Sequence, residues 1–363
     1  MNPGSRSARL SLMRACRALS CWPAVRIAVD RQRMLLSRLR WFERMGADLP
    51  HLLATFPTNM RSDDTAMAPA RRRLLMFHGL ASSPKEFGLL FHPLRRLGID
   101  LICPEVPGYS HGTLSRDASW SDWVAQARQV VDRQRAESDA PMLLGGLCTG
   151  AMLALALMGR AGASACPAPA GVEGLVLLSP LFAYDGWALP VWYRLRHLAY
   201  ALGLSAHFSM RERAPYGLKN ERMRQRVRQQ LEGDEASLVG PAAVSLRFVR
   251  ESERLSREAR RQWPGLDLPM LAIHAREDEI CSLASARRAL SAARPGTTRV
   301  QVLENSYHMI TADNDRLLVA ELMADFIRDV QHRRPIGAVS LEPVTAPRAA
   351  HADSAFPSFT ATS

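Results

Sequence analysis

The pentapeptide Gly146-Leu147-Cys148-Thr149-Gly150 sets a thiol between two glycines, after the apolar run "PMLLGGL" and before the small-residue stretch "AMLALALMGR". A G-x-nucleophile-x-G turn reverses a strand into a helix so sharply that its central side chain stands exposed at the strand's carboxyl end. Both glycines are required where neighbouring backbone leaves no room for a Cβ. A thiol held this way attacks carbonyl carbon once a base takes its proton, and the base needs an acid to orient it. Asp278, after the run "MLAIHA", and His308, after "RVQVLE", follow Cys148 in chain order and supply those two roles. Glu277 and Glu279 flank Asp278 and are alternatives for the acid, and a cysteine that merely packs is the alternative for Cys148. His78 is expected to brace the loop that it begins, His111 to be a loop residue, and Cys281 to pack near the acid.

Nucleophile, acid and base each follow a segment that reads as a buried parallel strand, which gathers all three at one edge of the sheet. The segments are "RLLMFHG", "IDLICPEVPG", "PMLLGGL", "GVEGLVLLSPL", "LPMLAIHA" and "RVQVLEN". Helical spacing in "SPKEFGLLFHPLRRLG", "SDWVAQARQVVDRQRAE", "AMLALALMGR", "ARRALSAA" and "DRLLVAELMADFIRDVQHRR" separates them. Such alternation predicts an α/β architecture, a mostly parallel central sheet with helices on both faces. The alternation breaks at about 182–263, where Arg-rich helical patterns and no strand pattern predict a helical cap insertion. The arginines at 222, 224, 226 and 228 alternate rather than share one helical face. They are expected on a solvated cap helix, with recognition of an acidic group such as a phosphopantetheine phosphate as the alternative.

Residues 71–334 therefore form the expected catalytic domain. Residues 1–70 read as a basic leader with an amphipathic pattern in "RQRMLLSRLRWFERM", then a polar linker, and 335–363 as a disordered Pro/Ala/Ser-rich tail. The 363 residues carry a formal net charge of +12. The first 73 residues hold fourteen arginines against five acids, so about +9 of the excess lies there and the rest is nearly balanced. That distribution argues against a nucleic-acid-binding body and leaves weak membrane contact through the leader as an expectation. Arginines interrupt the apolar N-terminal stretch, so it lacks the unbroken core of a signal peptide. The six cysteines form no C-x-x-C pair and no zinc spacing, which predicts a reduced, cytoplasmic setting and no metal.

The set "FHGLASSPKEF", "GLCTG", "AIHAREDEICS" and "ENSYHMITADNDR" resembles the α/β-hydrolase superfamily over about residues 73–334. The last two segments look most like small bacterial carboxylesterases and monoacylglycerol lipases. The resemblance implies an α/β-hydrolase fold with Cys148 as nucleophile, Asp278 as acid and His308 as base. It implies an oxyanion hole of the Leu80 and Thr149 backbone N–H groups, no cofactor, and a small-molecule acyl ester or thioester as substrate. Thr149 opens a helix, whose partial positive charge suits an oxyanion or a thiolate. The departure is the nucleophile, which is serine in most members; cysteine there is similar to dienelactone hydrolases and polyhydroxyalkanoate synthases. An acyl-cysteine is a thioester, so acyl transfer by the same three residues is an alternative to hydrolysis. A non-catalytic binding protein on the same fold is another.

Overall fold

The computed structural model describes residues 72–159, 168–232, 237 and 240–336. The chain divides into Met1–Pro57 and Thr58–Ser363, and all described residues belong to the second unit. The basic leader and nearly all of the expected tail lie outside them.

Six strands form one parallel sheet: β1 (Arg72–Phe77), β2 (Ile99–Ile102), β3 (Met142–Leu147), β4 (Val172–Leu178), β7 (Met270–Ala275) and β8 (Thr298–Leu303), in the order β2-β1-β3-β4-β7-β8. Their side chains alternate between two cores, as a strand covered on both faces must. In β1, Leu75 and Phe77 enter one core while Leu74 and Met76 enter the other. The second core is closed by α1 (Phe91–Arg96) and α8 (Arg316–Gln331) through Leu94, Val319, Met323 and Phe326. The first is closed by α2 (Trp120–Ala136), α3 (Thr149–Met158) and α7 (Leu283–Leu290). Every residue of α3 is buried, which explains why its apolar residues run all the way round instead of along one stripe. A reciprocal Ser119–Asp122 capping box starts α2.

Between β4 and β7 lie α4 (Arg196–Ala201), α5 (Glu221–Glu232) and α6 (Leu246–Gln262). The expectation of a purely helical cap needs correction. The same stretch contains an antiparallel pair, β5 (Ser209–Arg211) with β6 (Ala243–Ser245), each strand too short to display a period of two. The helix expected over 83–98 is likewise two pieces, a 3-10 turn at Pro84–Phe87 and the short α1. The tail expected from 335 begins with a docked residue: Ile336 is buried in the second core and its carbonyl accepts from Arg299 Nε at 3.1 Å.

Helix α6 ties the inserted stretch to the sheet layers, because Leu255 and Ala259 are fully buried in the first core. Leu255→Ala is expected to destabilise the protein by about 2–5 kcal/mol, since the lost methyl groups leave a cavity. Urea denaturation followed by far-UV circular dichroism checks this, with one transition expected before and after the substitution.

Candidate active site

The sheet order reverses between β1 and β3, so the crevice of the switch point opens beyond the carboxyl ends of these two strands. Cys148 stands there, between β3 and α3, half-buried, with φ 58° and ψ −121°. This backbone conformation is strained for a residue with a Cβ. Glycines on either side make it reachable. A Cβ on Gly146 would stand 2.2 Å from the carbonyl carbon of Gly150, and one on Gly150 would stand 2.1 Å from the carbonyl oxygen of Phe77. The Cys148 sulfur lies 3.9 Å from Thr149 Oγ1.

His308 follows β8 and Asp278 follows β7. His308 Nδ1 lies 2.8 Å from Asp278 Oδ2. Asp278 Oδ1 accepts the backbone N–H groups of Ile280 and Cys281, each at 2.9 Å. Burial disfavours the Asp278 carboxylate, but His308, His274 and the donated N–H bonds outweigh it and hold its pKa below the usual value. For His308 burial opposes the imidazolium, and the Asp278 carboxylate and the Cys148 side chain override it, raising its pKa well above 6.5. His308 Nε2 is buried without a hydrogen-bond partner among the described residues. That nitrogen belongs to a side chain lining the same cavity as Cys148. The three residues expected to act together are thus brought together, with the acid bonded to one imidazole nitrogen and the Cys148 side chain acting on the ring from the shared cavity.

The alternatives for the acid are placed elsewhere. Glu277 is exposed and pairs with Lys219 Nζ at 2.6 Å. Glu279 is buried and accepts the backbone N–H of His308 at 3.0 Å. His78 is buried, 2.7 Å from Ser110 Oγ through Nε2, and stacks on Tyr109 at the root of the loop after β1. His111 is exposed. The buried Cys281 thiol is pushed up to about 12 by burial. In the loop after β1 the Gly79 N–H donates to Glu86 Oε2 at 2.7 Å. The N–H groups of Leu80 and Thr149 donate to no acceptor among the described residues, and Leu80 lines the cavity.

Several residues at the site carry no sequence signal. His274, inside β7, lies 3.6 Å from Asp278 Oδ2 and 2.9 Å from the Cys281 carbonyl, so it backs the acid. Buried Asp313 accepts the N–H groups of Lys219, Asn220 and Tyr307, fastening the start of α5 to the loop that carries His308. Glu86, Glu212 and Glu279 line the cavity beside Cys148 and His308, with no arginine or lysine. Burial pushes each of the three up to about 7, despite the Gly79 N–H on Glu86 and the His308 N–H on Glu279. Among the described residues no group of His, Cys, Asp and Glu side chains is disposed to hold a metal ion, and no helix is long and apolar enough to cross a membrane.

A family model described as serine aminopeptidase, S33, matches residues 68–315. No curated protein sequence matches the chain. Among solved structures, the chain is similar to a metagenome-derived lipolytic enzyme, with 20% identity, a TM-score of 0.57 and coverage of 75% of this chain and 97% of that one. It is similar to the monoacylglycerol lipase of Paleococcus ferrophilus, with 19% identity, a TM-score of 0.56 and coverage of 76% and 98%. It is also similar to the monoglyceride lipase of Saccharomyces cerevisiae, solved with a substrate analog, with 14% identity, a TM-score of 0.60 and coverage of 75% and 91%. At these identities the likeness is one of fold.

The raised pKa of Glu86 has a consequence for stability. Its carboxyl binds a proton more tightly in the fold, at about 7, than at the ordinary value of 4.5. The folded state is therefore favoured by this group at low pH, and that contribution is lost as pH rises through 7. Glu86→Gln keeps an acceptor for the Gly79 N–H without a charge to bury. Relative to wild type it is expected to gain on the order of 1–3 kcal/mol between pH 5 and pH 8. Urea denaturation at the two pH values measures the gain, and an equal difference at both would contradict it.

Proposed function

The chain belongs to the serine aminopeptidase, S33, family of α/β-hydrolases, and from that membership we propose that it cleaves an acyl ester or thioester through an acyl-Cys148 intermediate. The observation that carries the proposal is the pairing at His308: Nδ1 is held by Asp278, and the ring shares a cavity with Cys148, whose side chain helps to raise its pKa. That arrangement fixes which nitrogen receives a proton. The Asp278 carboxylate keeps the Nδ1 proton in place and favours the imidazolium that forms.

The steps follow from these positions. The Cys148 thiol gives its proton to His308 Nε2 and its sulfur attacks the substrate's carbonyl carbon. The Leu80 and Thr149 N–H groups, unspent within the described residues, hold the oxygen that becomes negative, Thr149 with the help of the partial positive charge at the start of α3. The leaving group departs with the proton from His308. Water then gives a proton to Nε2, attacks the acyl-cysteine, and releases the acid and the thiol. Esters of small molecules are supported as substrates by the lipolytic and monoacylglycerol-cleaving proteins that share the fold. The thiol nucleophile adds thioesters to that class, because acyl exchange between two sulfurs is nearly balanced in energy.

Intact-mass analysis after exposure to a panel of acyl esters and thioesters tests the proposal. Wild type is expected to gain the mass of one acyl group, located at Cys148 by peptide mapping. Cys148→Ala is expected to gain none and to lose turnover by about 10⁴-fold or more. Asp278→Asn is expected to lower turnover by roughly 10³–10⁴-fold, because the imidazole loses its tautomer and its counter-charge. Full turnover in Cys148→Ala would overturn the mechanism.

A further inference from the structure

The catalytic cavity holds about 100 Å³, and its described lining contains glutamates but no arginine or lysine. On the other side of Tyr184, which lines both, a groove of about 740 Å³ runs between residues 181–185, α4 and α6. Arg250, Arg254 and Arg257 enter it from α6 at a spacing of i, i+4, i+7, one face of the helix. Through Phe182 and Arg257 the groove adjoins a second cavity of about 350 Å³, to which Arg260 and Arg288 also contribute.

The acids at the two cavities are already engaged. Asp185 accepts from Ser282 and Ser285, and Glu253 pairs with Arg196 at 2.7 Å. Arg254 is paired with Glu251 at 2.8 Å. Arg250 lies over the Tyr200 ring, Arg257 and Arg260 each donate one N–H to a backbone carbonyl, of Glu253 and Phe182, and Arg288 acts on Asp185. Each of these contacts leaves guanidinium N–H groups over, and such groups in a concave site are suited to phosphate, which they bind through two parallel N–H bonds. The groove is one side chain from the nucleophile. Tyr184 donates to or accepts from Ser252 Oγ at 2.8 Å, and its phenol, already raised by burial, is raised further by Cys148.

We infer that the arginine groove binds the phosphorylated nucleotide end of an acyl-coenzyme A, whose pantetheine arm reaches past Tyr184 to present its thioester to Cys148; this rests on the acyl-cysteine reading. The catalytic cavity, at about 100 Å³, has no room for a nucleotide, so the anionic end has to lie outside it. The groove's volume falls in the range of small-molecule sites. In the reaction, Cys148 passes its proton to His308, a bond forms between its sulfur and the thioester carbon, and the bond from that carbon to the coenzyme A sulfur breaks. The coenzyme A sulfur leaves as the thiol with the proton from His308, and water then releases the carboxylic acid.

The test compares acyl-coenzyme A with the same acyl group on N-acetylcysteamine, which offers an identical thioester without phosphates. Wild type is expected to favour the coenzyme A ester in kcat/KM by at least about tenfold, and Arg250→Ala/Arg257→Ala to lower that ratio by about tenfold. Calorimetry of free coenzyme A on wild type supplies a second readout independent of any variant, with binding expected and weakened by added salt. A wild-type ratio near one, a ratio unchanged in the double variant, no binding of coenzyme A, or a preference for a carrier-protein thioester with none for coenzyme A would each overturn the inference. Acylation of Cys148 by small esters alongside a ratio near one removes only the groove's role. Absence of Cys148 acylation by every ester and thioester removes the acyl-cysteine reading itself.

Discussion

The site depends on how closely the backbone of α3 approaches the end of β1. Gly150 lies so near the carbonyls of Phe77 and His78 that a Cβ there would stand 2.1 and 2.3 Å from their oxygens. That approach lets the chain leave β3, turn through the positive φ of Cys148 and enter a helix without moving away from the sheet. It also sets the loop that follows β1, with Leu80, beside the helix start at Thr149. The turn costs on the order of 1–3 kcal/mol of backbone strain. Complete burial of α3 between the sheet and α6 offsets that cost, so the packing of an otherwise unremarked apolar helix is what keeps the thiol in position.

The electrostatics of the cavity follow from how burial is compensated at each carboxyl. Asp278 faces His308 and His274 and receives two backbone N–H groups, and together these hold it below the ordinary carboxylate value. At Glu86 and Glu279 burial outweighs the backbone N–H groups that they accept, and both are raised to about 7. Glu212 is raised to the same degree with its side chain in no ion pair among the described residues. Carboxyl groups within one site are thus shifted in opposite directions according to how their desolvation is compensated. The one shifted down is bonded to the imidazole, which is where a negative charge orients a ring.

Residues 148, 278 and 308 were legible in the sequence because each follows a buried strand, and a parallel sheet collects the carboxyl ends of its strands. Asp278 was the first choice for the acid, but its two glutamate neighbours stayed open beside it, since the shape of the turn decides which side chain faces His308. Glu86 and Glu212 gave no signal either: the first sits in a 3-10 turn that reads as helix, the second beside a three-residue strand too short to alternate. His274 looks like one more buried strand position until the loop after β7 folds back onto it. The arginines of α6 share a face that spacing alone reveals. What that face meets, α4 and the loop after β4, is a matter of tertiary packing.

Net charge says little about any of this. The excess of +12 lies mostly ahead of the described residues, whereas the two cavities that Tyr184 lines differ in their described arginines, four in the groove and none beside Cys148. A substrate that is neutral throughout gains nothing from that division, because the arginines would meet no charge. A substrate with an anionic end and an uncharged reactive end gains twice, by attraction in the groove and because the cavity is too small for the wrong end. Orientation is then set by electrostatics before any acyl group is recognised. Tyr184, half-buried, lining both and hydrogen-bonded to α6 through Ser252, is the side chain on which that division rests.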